Sequence, residues 1–204
     1  MVNIITLLSE VAEQNGLIPD ALQLPDCEIS PESVQVVMVS EVPPRDPQDG
    51  FYSKAPVSDY MKSTLGLFEM AGVPVQSMGD ILGLGIYITT AVKSPKSGYT
   101  VDADVLNSHL PLLEAELALF PNLKAIMAMG DVSIKAVNKI VKARTKKNVI
   151  PSQSTYKIRN NEYFWGSVRV FPSYIITGKN LLIEKGKCDM IAEDIRRMME
   201  LLQG

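Results

Sequence analysis

Apolar residues recur along this chain with two different periods. From Asn3 to Gln14 the positions Ile4, Leu7, Leu8 and Val11 share one helical face, and Gly16 marks the stop. Val34 to Val39 is instead a run rich in β-branched residues, interrupted only by Gln35, the pattern of a strand covered on both faces. Ile86 to Val92, Leu123 to Met129 and Val168 to Ile176 are read as further strands. Between them, Ser58 caps a helix reaching Ala71, which Gly72 and Pro74 close. A long helix is expected from Asp102 to Phe120, its first turn acidic as the helix dipole favours. Asp131 or Ser133 opens a helix to Arg144, and Asp189 to Leu202 is the last. Pro19 to Pro31 and Pro43 to Pro56 read as irregular, and Ile150 to Gly166 as turn-rich, with Asn160-Asn161 a hairpin turn.

This alternation predicts an α/β fold, a three-layer αβα sandwich over a mainly parallel four-stranded sheet. At 204 residues and 46% hydrophobic, the chain can bury one good core. A single domain over 1–204 is expected, with 1–33 as an N-terminal helix and connection. No apolar run approaches the ~18 residues that cross a bilayer, so no membrane partner is expected. Met1 to Gln14 carries Glu10 and Glu13 and no basic residue, unlike a signal peptide. Two cysteines, Cys27 and Cys188, suit a reducing, cytoplasmic setting. Nothing in the pattern sets an oligomeric state.

The net charge of −3 lacks the basic footprint usual among nucleic-acid binders. Distribution changes that picture, because Lys135, Lys139, Lys142, Arg144, Lys146 and Lys147 form one basic block. It reads either as a solvated helix face or as a surface for DNA. No Gly-x-Ser-x-Gly, phosphate-binding Gly-x-x-x-x-Gly-Lys loop or dinucleotide fingerprint is present.

Three strands run into polar exits, Ser40-Glu41-Val42-Pro43-Pro44, Thr89-Thr90-Ala91-Val92-Lys93-Ser94 and Tyr174-Ile175-Ile176-Thr177-Gly178-Lys179-Asn180. In an open parallel sheet such ends build one crevice. From Val34 to Leu202, their order and spacing resemble the uracil-DNA glycosylase superfamily, nearest its bacterial and archaeal iron–sulfur branch. The first exit stands where that family has Gly-Glu-Ala-Pro-Gly, and Glu41 matches its glutamate. Asp46, Asp49, Gly50, Phe51 and Tyr52 stand where it has an acidic pair and a glycine before an aromatic. The second exit matches Thr-Asn-Val-Val-Lys-Cys, keeping Lys93 but carrying Thr90 for the asparagine. The third stands where the family has Tyr-His-Pro-Ser, with Ile175 in place of the histidine. Gly130-Asp131, Pro111 with Leu112-Leu113, and Ile191 to Ile195 fit the framework.

The resemblance implies a glycosylase-like fold and a site for an extruded base. Glu41, Asp46 or Asp49 would activate water, since a carboxylate is the natural base there. Phe51 or Tyr52 would stack on the base, and Thr90 would touch its edge with one donor and one acceptor. Lys93, Thr177, Gly178, Lys179 and Asn180 would hold phosphate or the leaving base. Plain solvation of the carboxylates, and a simple turn over Thr177 to Asn180, are the competing readings. Cluster cysteines of the iron–sulfur branch fall at Ser94 and near His109, and Cys27 stands alone, so neither a cluster nor any other cofactor is expected. His109, the single histidine, reads as a half-buried scaffold residue.

Hydrolysis of the N-glycosidic bond of a damaged DNA base is the function this implies. Two alternatives stand beside it, and the loss of the base-releasing histidine and the base-reading asparagine favours the first. One is a degenerate glycosylase fold that binds nucleic acid or a partner without excision. The other is a hydrolase of free nucleosides or nucleotides.

Overall fold

Along the central strands the apolar side chains part to opposite faces. Val37 and Val39 join one core, with Leu112, Ile126 and Ala136, while Val36 and Met38 join a second, with Leu67, Met127 and Ile191. Two cores on two faces require helices on both sides of the sheet. The computed structural model describes residues 1–56, 58–178 and 181–203. It is an α/β fold with a mainly parallel sheet flanked by helices, compatible with an αβα sandwich.

A small antiparallel pair, β1 (Val2–Asn3) and β2 (Glu28–Ile29), ties the N-terminal connection down. The central strands are β3 (Val36–Ser40), β4 (Ile86–Thr90), β5 (Ala125–Met129), β6 (Tyr163–Trp165) and β7 (Val168–Ser173), ordered β4-β3-β5-β7-β6. β4, β3, β5 and β7 are parallel, and β6 is antiparallel to β7. Helices α1 (Ile4–Gln14), α4 (Ala103–Leu119) and α5 (Asp131–Thr145) cover one face. Helices α2 (Asp59–Met70), α3 (Met78–Gly83) and α7 (Lys185–Gln203) cover the other, and α6 (Thr155–Ile158) is a single turn before β6. No helix among the described residues is long and apolar enough to cross a membrane.

The expected four-stranded sheet has a fifth strand. The segment before Gly166 is not only turns, because Tyr163 and Trp165 pack against the α4–α5 core and β6 pairs with β7. The hairpin turn is at Gly166-Ser167 rather than Asn160-Asn161, and Gly166 supplies the φ of +61° that so tight a turn favours. The last strand also stops at Ser173, short of the expected Ile176. Pro172 is tolerated within it for a reason visible in the register. Arg169 donates its N–H to Lys124 and Gly130 donates to Ser173, so odd-numbered residues of β7 face β5. Pro172 faces the other way, past the end of β6, where no partner needs its missing N–H.

Candidate functional site: a cavity and a crevice at the strand ends

All four parallel strands end at one edge of the sheet. The chain leaves β3 for β4 on one side and returns to β5 on the other, which makes the β3–β5 gap a topological switch point. Glu41, the residue after β3, fills that gap. Its Oε1 accepts the backbone N–H of Val132 in the first turn of α5 at 3.1 Å, and its Oε2 accepts from Lys96 Nζ at 2.8 Å. The positive end of α5 and the Lys96 ammonium thus both face this carboxylate.

Gly130 makes this approach feasible. Its φ is +94°, and a Cβ there would lie 2.5 Å from Ile175 Cγ1 and 2.6 Å from Glu41 Oε1. Ile175 and Glu41 therefore close over the turn, and Ile176 is fully buried in the α2–α7 core. The end of β7 is pinned from behind, where Ser173 Oγ donates to Asp194 at 2.7 Å and Arg159 Nη2 reaches the same carboxylate at 2.8 Å. Arg197 also pairs with Asp194. Burial pushes the Asp194 carboxyl up, against the opposing pull of Ser173 and Arg159.

A cavity of about 600 Å³ opens beside the outer edge of β4. Pro43, Pro44, Gly50, Phe51, Tyr52 and Thr90 line it on the sheet side, and the Pro19–Asp26 connection closes the other. That connection is tied down by Gln23, whose Nε2 donates to Pro44 O at 2.8 Å and whose N–H donates to Lys93 O at 2.7 Å. Phe51 is buried and packs edge-on against Tyr60 with 5.1 Å between ring centroids. The Tyr52 hydroxyl donates to Ile88 O at 2.8 Å and accepts from Ile88 N–H at 3.2 Å. Burial pushes its phenol well above the usual range. Tyr52 thus lines the cavity while its polar end is spent on the strand.

The remaining expected site residues are placed elsewhere. Lys93 has no exposed surface, and its Nζ donates to Thr89 Oγ1, Thr90 O and Glu116 Oε2 at 2.6, 2.7 and 2.6 Å. Glu116 Oε1 in turn accepts from the hydroxyls of Tyr87 and Thr89. Burial pushes the Lys93 ammonium down, while Glu116 opposes it. A phosphate cannot reach that nitrogen without opening the core. Asp46 is exposed and caps the turn Pro47–Asp49, accepting from Gln48 N–H at 2.9 Å. Asp49 is half-buried, and its charge is one of those raising the Tyr60 phenol, whose main cause is burial. The Tyr60 hydroxyl donates to Val42 O at 3.3 Å, Thr177 opposes the rise of its phenol, and Gly178 is exposed with a φ of +134°. Lys179 and Asn180 lie outside the described residues.

Three participants were missed in the sequence. Lys96 carries no local pattern that distinguishes it from a loop lysine. Gln23 lies in a stretch read only as irregular. Glu116 did leave a signal, being an acid among Leu112, Leu113 and Leu117 on the apolar face of α4, where only a buried cation or donors could accept it. Neither a family model nor a curated protein matches this chain.

Proposed function

We propose that this chain is a uracil-DNA glycosylase-like protein that takes up a nucleobase in the cavity beside β4 without breaking its N-glycosidic bond. One observation carries the reading: the cavity is lined by Phe51, Tyr52 and Thr90, two aromatic residues and a threonine, at the carboxyl ends of parallel strands. Uptake rather than hydrolysis follows from where the carboxylates go. Glu41, the matched glutamate, spends both oxygens on Lys96 and α5 in the neighbouring crevice. Asp26 at the cavity rim faces Lys54 at 3.0 Å, and Asp20 beside it is exposed. No histidine stands at Ile175 to donate to a departing base, a loss that typically costs ~10²–10³ in rate.

Calorimetry with uracil, hypoxanthine and xanthine, run beside a base-release assay on duplexes bearing them, tests the reading. Saturable binding that weakens in Thr90→Val, without release above background, is the expected outcome. Release that vanishes in Glu41→Gln would restore hydrolysis by carboxylate-activated water. Cleavage of free nucleosides alone would make the protein a small-molecule hydrolase. Binding of none of the three bases would end the uptake reading.

A further inference from the structure

A second concavity, of about 710 Å³, lies away from the cavity beside β4, along α5 and the 148–154 loop. Lys135, Lys139 and Lys142 line it at helical spacings of four and three residues, so one stripe of ammonium groups spans roughly 10 Å of helix. All three are exposed, and among the described residues none has a carboxylate within ion-pair distance. Asp131 at the start of α5 is the one acid in the lining. The opposite wall offers neutral hydrogen-bonding groups from Ser152, Gln153 and Ser154.

The wall is held in place. Asn138 is buried and pins the loop to α5, donating from Nδ2 to Ile150 O at 2.9 Å and accepting Ile150 N–H at 2.9 Å. Beyond the groove the charge continues through the exposed Lys146 and Lys147, while Arg144 is occupied by Glu114 at 2.5 Å and by the Trp165 ring at 5.5 Å. Ser154 leads directly into α6, which presents Tyr156 with 72% of its surface exposed.

We infer that this groove binds a single strand of nucleic acid, its phosphodiester backbone on the lysine stripe and an unpaired base on Tyr156. A row of unpaired cations facing neutral donors, on a chain whose net charge is negative, matches a linear polyanion. A flat anionic membrane would not fill a concavity, and a duplex keeps its bases stacked away from an exposed phenol. Aromatic platforms beside a basic track are the physical basis of single-strand binding.

Fluorescence anisotropy tests this with a labelled thymidine oligonucleotide of about 12 nucleotides and a duplex of equal length. The single strand should bind more tightly. The K135E/K139E/K142E variant should bind it at least tenfold more weakly, and the plot of log affinity against log salt should become shallower by about 2. Tyr156→Ala should lose about tenfold with an unchanged salt slope. Circular dichroism melting confirms that these exposed substitutions leave the fold intact. Unchanged binding by the triple variant overturns the assignment. So does equal affinity for the duplex with a silent Tyr156→Ala, or binding to phosphatidylserine vesicles without binding to the oligonucleotide. Nucleobase uptake, measured by calorimetry on the same variants, should be unaffected, so failure of one site is distinguishable from failure of the other.

Discussion

Lys93 and Lys96 leave the same strand three residues apart, and each ends on a glutamate, at 2.6 and 2.8 Å. In the Lys93–Glu116 pair both side chains are 0% exposed, whereas Lys96 and Glu41 are 29% and 8% exposed. Similar distances therefore conceal different roles. The inner pair is a strut between β4 and α4, saturated by Tyr87, Thr89 and the Thr90 carbonyl. Buried charges of this kind are tolerated only when every partner is present. The outer pair holds Glu41 across the switch-point gap, where water can still compete for the ammonium. The outer pair ties the exit loop of β4 to the end of β3, while the inner one sets the shape of the strand that lines the cavity.

Several substitutions bear on this contrast. Glu116→Ala strands the Lys93 ammonium and should cost about 3–5 kcal/mol in urea unfolding, while Lys93→Met with Glu116→Leu should recover most of it. A cost below about 1 kcal/mol for the single change would dissolve the distinction. Gly130→Ala drives a methyl into Ile175 and Glu41 at a φ of +94°, and should cost about 2–4 kcal/mol. Wild-type stability there would mean that the crevice is looser than its contacts indicate.

The inner region should also be the pH-sensitive one. His109 Nδ1 accepts the Lys93 backbone N–H at 3.1 Å, and burial, followed by the Lys93 charge, pushes its pKa from 6.5 down to about 4. Between those values the unfolded chain binds a proton that the folded one refuses. This contribution is present above pH 6.5 and is lost as pH falls towards 4, up to about 3 kcal/mol. His109→Asn, which keeps an acceptor for Lys93, should flatten the stability profile over that window. An unchanged slope would place the titration elsewhere. Glu41→Gln, the mildest change, should cost about 1 kcal/mol or less. Raising salt to about 1 M should shrink even that difference, yet leave the Glu116→Ala cost intact.

Much of the framework was legible in the chain. The runs Val36–Ser40 and Ala125–Met129 are apolar enough to demand cover on both faces, and Ser58 does cap α2, accepting from Met61 N–H. β6 was not legible, because three consecutive aromatics in a polar stretch become a strand only when Val168–Ser173 supplies their hydrogen bonds. The cavity was half legible. Phe51, Tyr52 and Thr90 do meet, but the Gln23 strap depends on a connection without periodicity. Lys93 shows where motif reading fails. A lysine after a strand looks like an anion ligand until Glu116, 23 residues further along, turns it inward.

Tyr52 has one more consequence. β4 is the outermost strand of the sheet, and Ile88 would present an unpaired N–H and C=O along its rim. The phenol hydroxyl satisfies both and stands in for the strand that is not there. Without that oxygen, the Ile88 N–H and C=O would be left without the partner they have on this edge, a cost that edge strands are built to avoid. The side chain that walls the cavity thus also covers the open polar edge of the strand beside it.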